Sequence, residues 1–228
     1  VGTGSSDKTV RVWDARAKKG QVFLFKGHSD AVITLRWGEG GRSLVTGGKD
    51  KTIRIWDTRA GRLRALCERH FDAVNALRAI PEYIKCSTID GEAGASFVSG
   101  GRDSSINLWT ADGDCVGSQT CKNRSSIIML SDINANLAFK SGVPFLFSLS
   151  SDNNVRLWDL RRFKFATEFS ATGPTLVKAV WAGQSIFTAS SSGDIQRWFP
   201  SATPCIMQTE QVTTKEDITW QNQQLLSH

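Results

Sequence analysis

One segment is written five times along this 228-residue chain, and the repetition restricts its fold more than any other feature. SSDKTVRVWDAR ends at Arg16, GKDKTIRIWDTR at Arg59, GRDSSINLWTAD at Asp112 and SSDNNVRLWDLR at Arg161. SSSGDIQRWFPS, built around Trp198, is a weaker fifth copy. The tryptophans Trp13, Trp56, Trp109, Trp158 and Trp198 stand 43, 53, 49 and 40 residues apart. A period of roughly 40 to 45 residues marks units that cannot bury an apolar face alone and stack on their neighbours. The longer intervals hold two insertions, Pro81 to Gly94 and Ser131 to Gly142. Both are polar to mixed with Gly or Pro, which makes them surface loops, serving either a specific partner or nothing beyond padding.

Within the best copy, four short β-prone runs are separated by turns containing Gly and Asp: AVITLRW (31–37), SLVTGG (43–48), TIRIWD (52–57) and RLRALC (62–67). In TIRIW, Ile53 and Ile55 point one way and Arg54 the other, whereas AVITL is apolar at nearly every position. Such continuity predicts a strand covered on both faces, as stacking of repeats would provide. The expected class is all-β, a propeller of four-stranded antiparallel blades, in preference to a sandwich with clean alternation throughout. The chain divides into a partial repeat over 1–26, then 27–68, 69–121, 122–171 and 172–209, with a further repeat starting over 210–228. DITWQ (217–221) reads as a first strand and LLS (225–227) as the start of a second, while VGTG (1–4) aligns with that same second strand. The ends therefore overlap, and the expectation is part of a larger ring of six or seven blades.

Gly27-His28 followed by Trp56-Asp57, with the Thr46 to Asp50 turn between, resembles the WD-repeat (WD40) unit. The resemblance covers essentially the whole chain. An indole N–H only donates, a hydroxyl accepts and donates, an imidazole does both, and a carboxylate only accepts. Trp56, Thr46, His28 and Asp50 can thus form one directed chain of hydrogen bonds, and the resemblance gives this tetrad a structural role. The third repeat keeps His70, Ser99, Asp103 and Trp109, with Arg69 and Thr110 in place of the Gly before His and the Asp after Trp. The first keeps Thr3, Asp7, Trp13 and Asp14. The fourth keeps Ser148, Asp152, Trp158 and Asp159 without a Gly-His; the fifth keeps Thr188 and Trp198, with Ser192 at the turn. These later repeats are expected to lean more on apolar packing.

The sequence carries no phosphate loop, no His-Glu-x-x-His and no Gly-x-Ser-x-Gly. Neither an enzyme nor a bound cofactor or metal is expected. No apolar run of eighteen residues exists to span a bilayer. Five scattered cysteines without a Cys-x-x-Cys pair fit reduced thiols, hence an intracellular setting, cytoplasmic in preference to nuclear. The net charge of +6 favours acidic partners, although the basic residues are spread along the chain apart from Arg16 to Lys19 and Arg161 to Lys164.

The resulting expectation is a non-catalytic scaffold that holds other proteins on its faces. The alternatives are a substrate receptor of a cullin-type ubiquitin ligase, or a basic surface for nucleic acid, tubulin-like tails or anionic lipid. Antiparallel strands place Lys49 and Arg102, each just before a turn Asp, on the same face as His28 and His70, with Phe71 beside them as a partner-binding aromatic. Trp-Asp-x-Arg occurs three times, ending in Arg16, Arg59 and Arg161, and resembles the box by which WD-repeat receptors dock onto a ligase adaptor. Those arginines belong to the opposite face.

Overall fold

The computed structural model describes residues 1–16, 20–81, 94–121, 123–131, 133, 144–171, 173–182, 185–200 and 207–212, with the backbone alone at 39, 199, 200 and 207–212. Most of both insertions and the segments 217–221 and 225–227 lie outside the described residues. Five antiparallel sheets follow one another along the chain. The first contains β1 (Gly2–Gly4), β2 (Thr9–Trp13) and β3 (Gln21–Lys26). The second contains β4 (Val32–Trp37), β5 (Ser43–Gly48), β6 (Ile53–Asp57) and β7 (Arg62–Cys67). The third contains β8 (Val74–Ala79), β9 (Phe97–Gly101), β10 (Ser105–Trp109) and β11 (Cys115–Thr120). The fourth contains β12 (Ile127–Leu130), β13 (Phe145–Ser150), β14 (Asn154–Asp159) and β15 (Lys164–Ser170). The fifth contains β16 (Leu176–Ala182), β17 (Ser185–Ser190), β18 (Ile195–Pro200) and β19 (Met207–Val212). Every sheet is a meander in chain order, so each is one sequence repeat folded locally.

The hairpin between the second and third strand of a blade needs a residue with positive φ. Lys8 (70°), Lys51 (67°), Ser104 (68°) and Asn153 (62°) fill that place directly after the turn Asp, and Gly193 (92°) fills it in the fifth sheet. The preceding carboxylate stabilises the turn by accepting the amide two residues on, as from Thr9 to Asp7 (2.9 Å) and from Ser105 to Asp103 (3.0 Å).

Each apolar core lies between two successive sheets. Val45, Ile53, Ile55 and Cys67 pack against Val74, Leu77, Phe97 and Trp109, and equivalent clusters join the first sheet to the second, the third to the fourth and the fourth to the fifth. Close approach is set by glycines in the second strands. A Cβ on Gly4, Gly47 or Gly100 would stand 2.6–2.7 Å from a methyl of Val32, Val74 or Ile127, the opening residues of the next blade's first strand. Stacking therefore matches the end of one second strand to the start of the next first strand, and the blades all point the same way.

The burial of β4 corrects the sequence reading. Ile33 is 41% exposed, and Val32 is the strand's one buried residue, whereas β5, β9 and β13 are buried almost end to end. The first strand is a sheet edge, while the second has a strand on either side and a blade on each face. Apolarity at 31–35 thus marked the edge that meets neighbouring first strands.

Candidate partner-binding faces

An indole N–H donates to a hydroxyl ten residues earlier in all five sheets. Trp13 bonds Thr3 (2.9 Å), Trp56 bonds Thr46 (2.9 Å), Trp109 bonds Ser99 (2.8 Å), Trp158 bonds Ser148 (2.9 Å) and Trp198 bonds Thr188 (2.9 Å). In the second sheet, Thr46 Oγ1 lies 2.8 Å from His28 Nε2, and His28 Nδ1 lies 2.8 Å from Asp50. Burial holds the His28 pKa below its ordinary value, with the Asp50 hydrogen bond opposing. Burial would raise the Asp50 pKa, but the hydrogen bonds from His28 and from the Ser29 amide outweigh it and lower it. A neutral imidazole beside a charged carboxylate fixes the direction of donation as Trp56, Thr46, His28, Asp50. His70 repeats the arrangement, 2.7 Å from Ser99 and 3.0 Å from Asp103. These groups are buried and saturated by one another, which suits holding strands together.

The fourth sheet replaces the imidazole with an ion pair that sequence reasoning missed. Arg156, 2% exposed, donates to Asp152 (2.6 Å), Ser150 (2.9 Å) and Glu168 (3.0 Å). Burial opposes its charge, yet the bond to Asp152 prevails and raises its pKa, while Asp152 is lowered to about 2. The available signal was an Arg four residues after the turn Asp, present at Asp7/Arg11, Asp50/Arg54 and Asp152/Arg156. Arg11 makes the same bond to Asp7 (2.8 Å).

At one end of the blades, the Lys49 amide donates to Ala31 O and the Arg102 amide to Ala73 O, both at 2.8 Å, which ties each hairpin to the start of a first strand. Lys49 and Arg102 are exposed there. Phe71 stands 85% exposed, with its amide bonded to Asp103 at 2.8 Å. Because the start of β8 packs on Gly47, all three residues are at the same end of two adjacent blades, which is also the end of His28 and His70.

The hairpins between third and fourth strands open at the other end. Asp14 accepts the Arg16 amide (2.9 Å), Asp57 those of Arg59 and Ala60 (both 2.8 Å), and Asp159 that of Arg161 (2.8 Å). The two amide bonds lower the Asp57 pKa. The Asp of Trp-Asp-x-Arg thus holds backbone, and Arg16, Arg59 and Arg161 present exposed side chains. Elsewhere, burial pushes the Cys67 thiol up to about 12, which leaves it unreactive. Among the described residues no three His, Cys, Asp or Glu side chains gather to hold a metal ion, and no helix is long and apolar enough to cross a membrane.

Residues 19–57 match the family described as WD domain, G-beta repeat. Nuclear distribution protein PAC1 of Arthroderma otae (strain ATCC MYA-4605 / CBS 113480) is 30% identical over 170 residues, which cover 69% of this chain and 35% of that protein. Nuclear distribution protein PAC1 of Coccidioides posadasii (strain C735) is 28% identical over 170 residues, 70% of this chain and 34% of that protein. The chain spans about a third of the length of these curated relatives.

Proposed function

Because this is a WD-repeat chain of four-stranded antiparallel blades, we propose that it is a non-catalytic scaffold holding partner proteins at the blade end that carries Lys49, Phe71 and Arg102. The observation behind this reading is Phe71, a large aromatic almost wholly in solvent whose backbone is fixed by the Asp103 carboxylate. An aromatic on a backbone held in place loses less freedom on binding than one on an unheld loop, and such anchors dominate interface energetics. Arg102, 3.9 Å from the Asp72 carboxylate, and Lys49 on the preceding blade add exposed cations around it. Both relatives are named for nuclear distribution, and the same process, served in the cytoplasm, is the proposed setting of this chain.

A second reading, docking onto a ligase adaptor through Arg16, Arg59 and Arg161, has one observation in its favour: the Asp of each motif closes the turn by accepting a backbone amide, and the three arginines lie exposed at the same end. Capture from cell extract separates the two. Phe71→Ala is expected to lower partner recovery about 30-fold, the loss of a hot spot worth roughly 2 kcal/mol, and Lys49→Glu with Arg102→Glu to lower it further. Recovery unchanged in both variants rejects the reading. Loss confined to Arg16→Ala, Arg59→Ala and Arg161→Ala favours the adaptor, and affinity falling steeply with salt favours an acidic polymer.

A further inference from the structure

The fifth blade keeps the first two links of the buried hydrogen-bond chain, Trp198 and Thr188, and has lost the imidazole and the turn Asp that follow them. Thr188, 1% exposed, accepts the Trp198 indole and retains an O–H to donate. In the second and third blades the corresponding hydroxyls meet an imidazole Nε2 at 2.8 and 2.7 Å. The imidazole there belongs to the residue four places before the first strand, His28 before Val32 and His70 before Val74; the same count from Leu176 reaches Thr172.

A cavity of about 260 Å³ lies beside Thr188, lined also by Ala171, Gly173, Leu176, Asp194 and Gln196. Strand register equates these polar groups with the ones that surround an imidazole elsewhere. Asp194 holds the place of Thr52 and Ser105, whose hydroxyls lie 3.5 and 3.0 Å from imidazole Nδ1. Gln196 holds the place of Asn107, whose amide lies 3.2 Å from His70 Nε2. Gln196 Oε1 is buried without a hydrogen-bond partner, a costly state for a polar atom. The Ser191 amide bonds Thr175 O at 2.8 Å, as Lys49 bonds Ala31, so the cavity opens at the end proposed for partners.

We propose that this slot receives the imidazole of a histidine side chain supplied by a partner protein. Thr188 donates to one ring nitrogen, the other ring N–H donates to the Asp194 carboxylate, and the hydrogen-bond chain is carried on in trans with Asp194 in place of the lost turn Asp. The volume is below the roughly 300–1,000 Å³ of small-molecule pockets and suits a single side chain. The inference rests on the scaffold reading, since it assigns a chemistry to the partner.

Imidazole itself is the probe, titrated into the ¹⁵N-labelled chain at a pH of about 8, where the ring is neutral, while the Trp198 indole N–H resonance is followed. A saturable shift at Trp198 is expected, absent from the other tetrad tryptophans and absent with guanidinium chloride, which offers donors only. Asp194→Asn is expected to weaken imidazole binding about tenfold, and Asp194→Ala serves as a second variant expected to do the same. No saturable shift, an equal shift with guanidinium, or binding unchanged in both variants overturns the proposal and leaves a slot that holds water. Those results do not touch partner capture through Phe71, so the two readings fail separately.

Discussion

Thr46 stands at the centre of the second blade's tie because its oxygen accepts from Trp56 while its proton faces His28. The arrangement works only with a neutral ring, and burial lowers the His28 pKa from its ordinary 6.5. Below pH 6.5 the unfolded chain takes up a proton that the folded chain refuses. Stability is therefore full above that pH and is lost as pH falls through the window below it, by at most about 1.4 kcal/mol per pH unit. Asp50, whose pKa is also lowered, acts in a separate window below 3.8. Denaturant midpoints from pH 7.5 to 5 are expected to fall in the wild type and to flatten in His28→Gln. A parallel fall in both contradicts the assignment. The tetrad was legible in the sequence, since only certain side chains can donate and accept in series. The Arg156 ion pair was not, because an Arg in a strand reads equally as a solvated face, even where the absent His leaves Asp152 without its usual partner.

Elements were legible where residue type and period agreed: β5 and β7 coincide with the runs read from sequence, and β4 and β6 begin one residue later. Which strand is covered twice was less legible. That depends on how repeats stack, and the signal was the glycine near the end of the second strand in the first three blades, Gly4, Gly47 and Gly100, where β-propensity is low but close approach is needed. A Cβ at Gly47 would meet Val74 Cγ1 at 2.7 Å and Thr34 Cγ2 at 2.9 Å. Gly47→Ala is accordingly expected to destabilise by about 1–3 kcal/mol through overpacking between blades, read as a lowered thermal midpoint. Gly40→Ala on the exposed turn after β4 meets no atom within 4 Å, although its φ of 64° carries its own backbone cost. A loss at Gly47 no greater than at Gly40 removes the stacking argument.

At the scale of the whole chain, local meanders joined by apolar cores between neighbours leave two ends of each blade facing solvent with different chemistry. One end gathers hairpins and first-strand entries, with Lys49, Phe71, Arg102 and the fifth blade's cavity; the other gathers the Asp-closed turns with Arg16, Arg59 and Arg161. Strand direction alone predicts this polarity, but the exposure of Phe71 needed the structure, since an aromatic after a buried His reads as readily as core. The most direct measurement of the scaffold reading places a photo-crosslinking amino acid at position 71 and, as a control, at Leu66 on the outer strand β7, which is 43% exposed. Irradiation in cell extract is expected to give discrete protein adducts from position 71, lost when Lys49 and Arg102 are both changed to Glu, and none from position 66. Adducts from neither position, or the same adducts from both, would contradict a partner-binding face at this end of the blades.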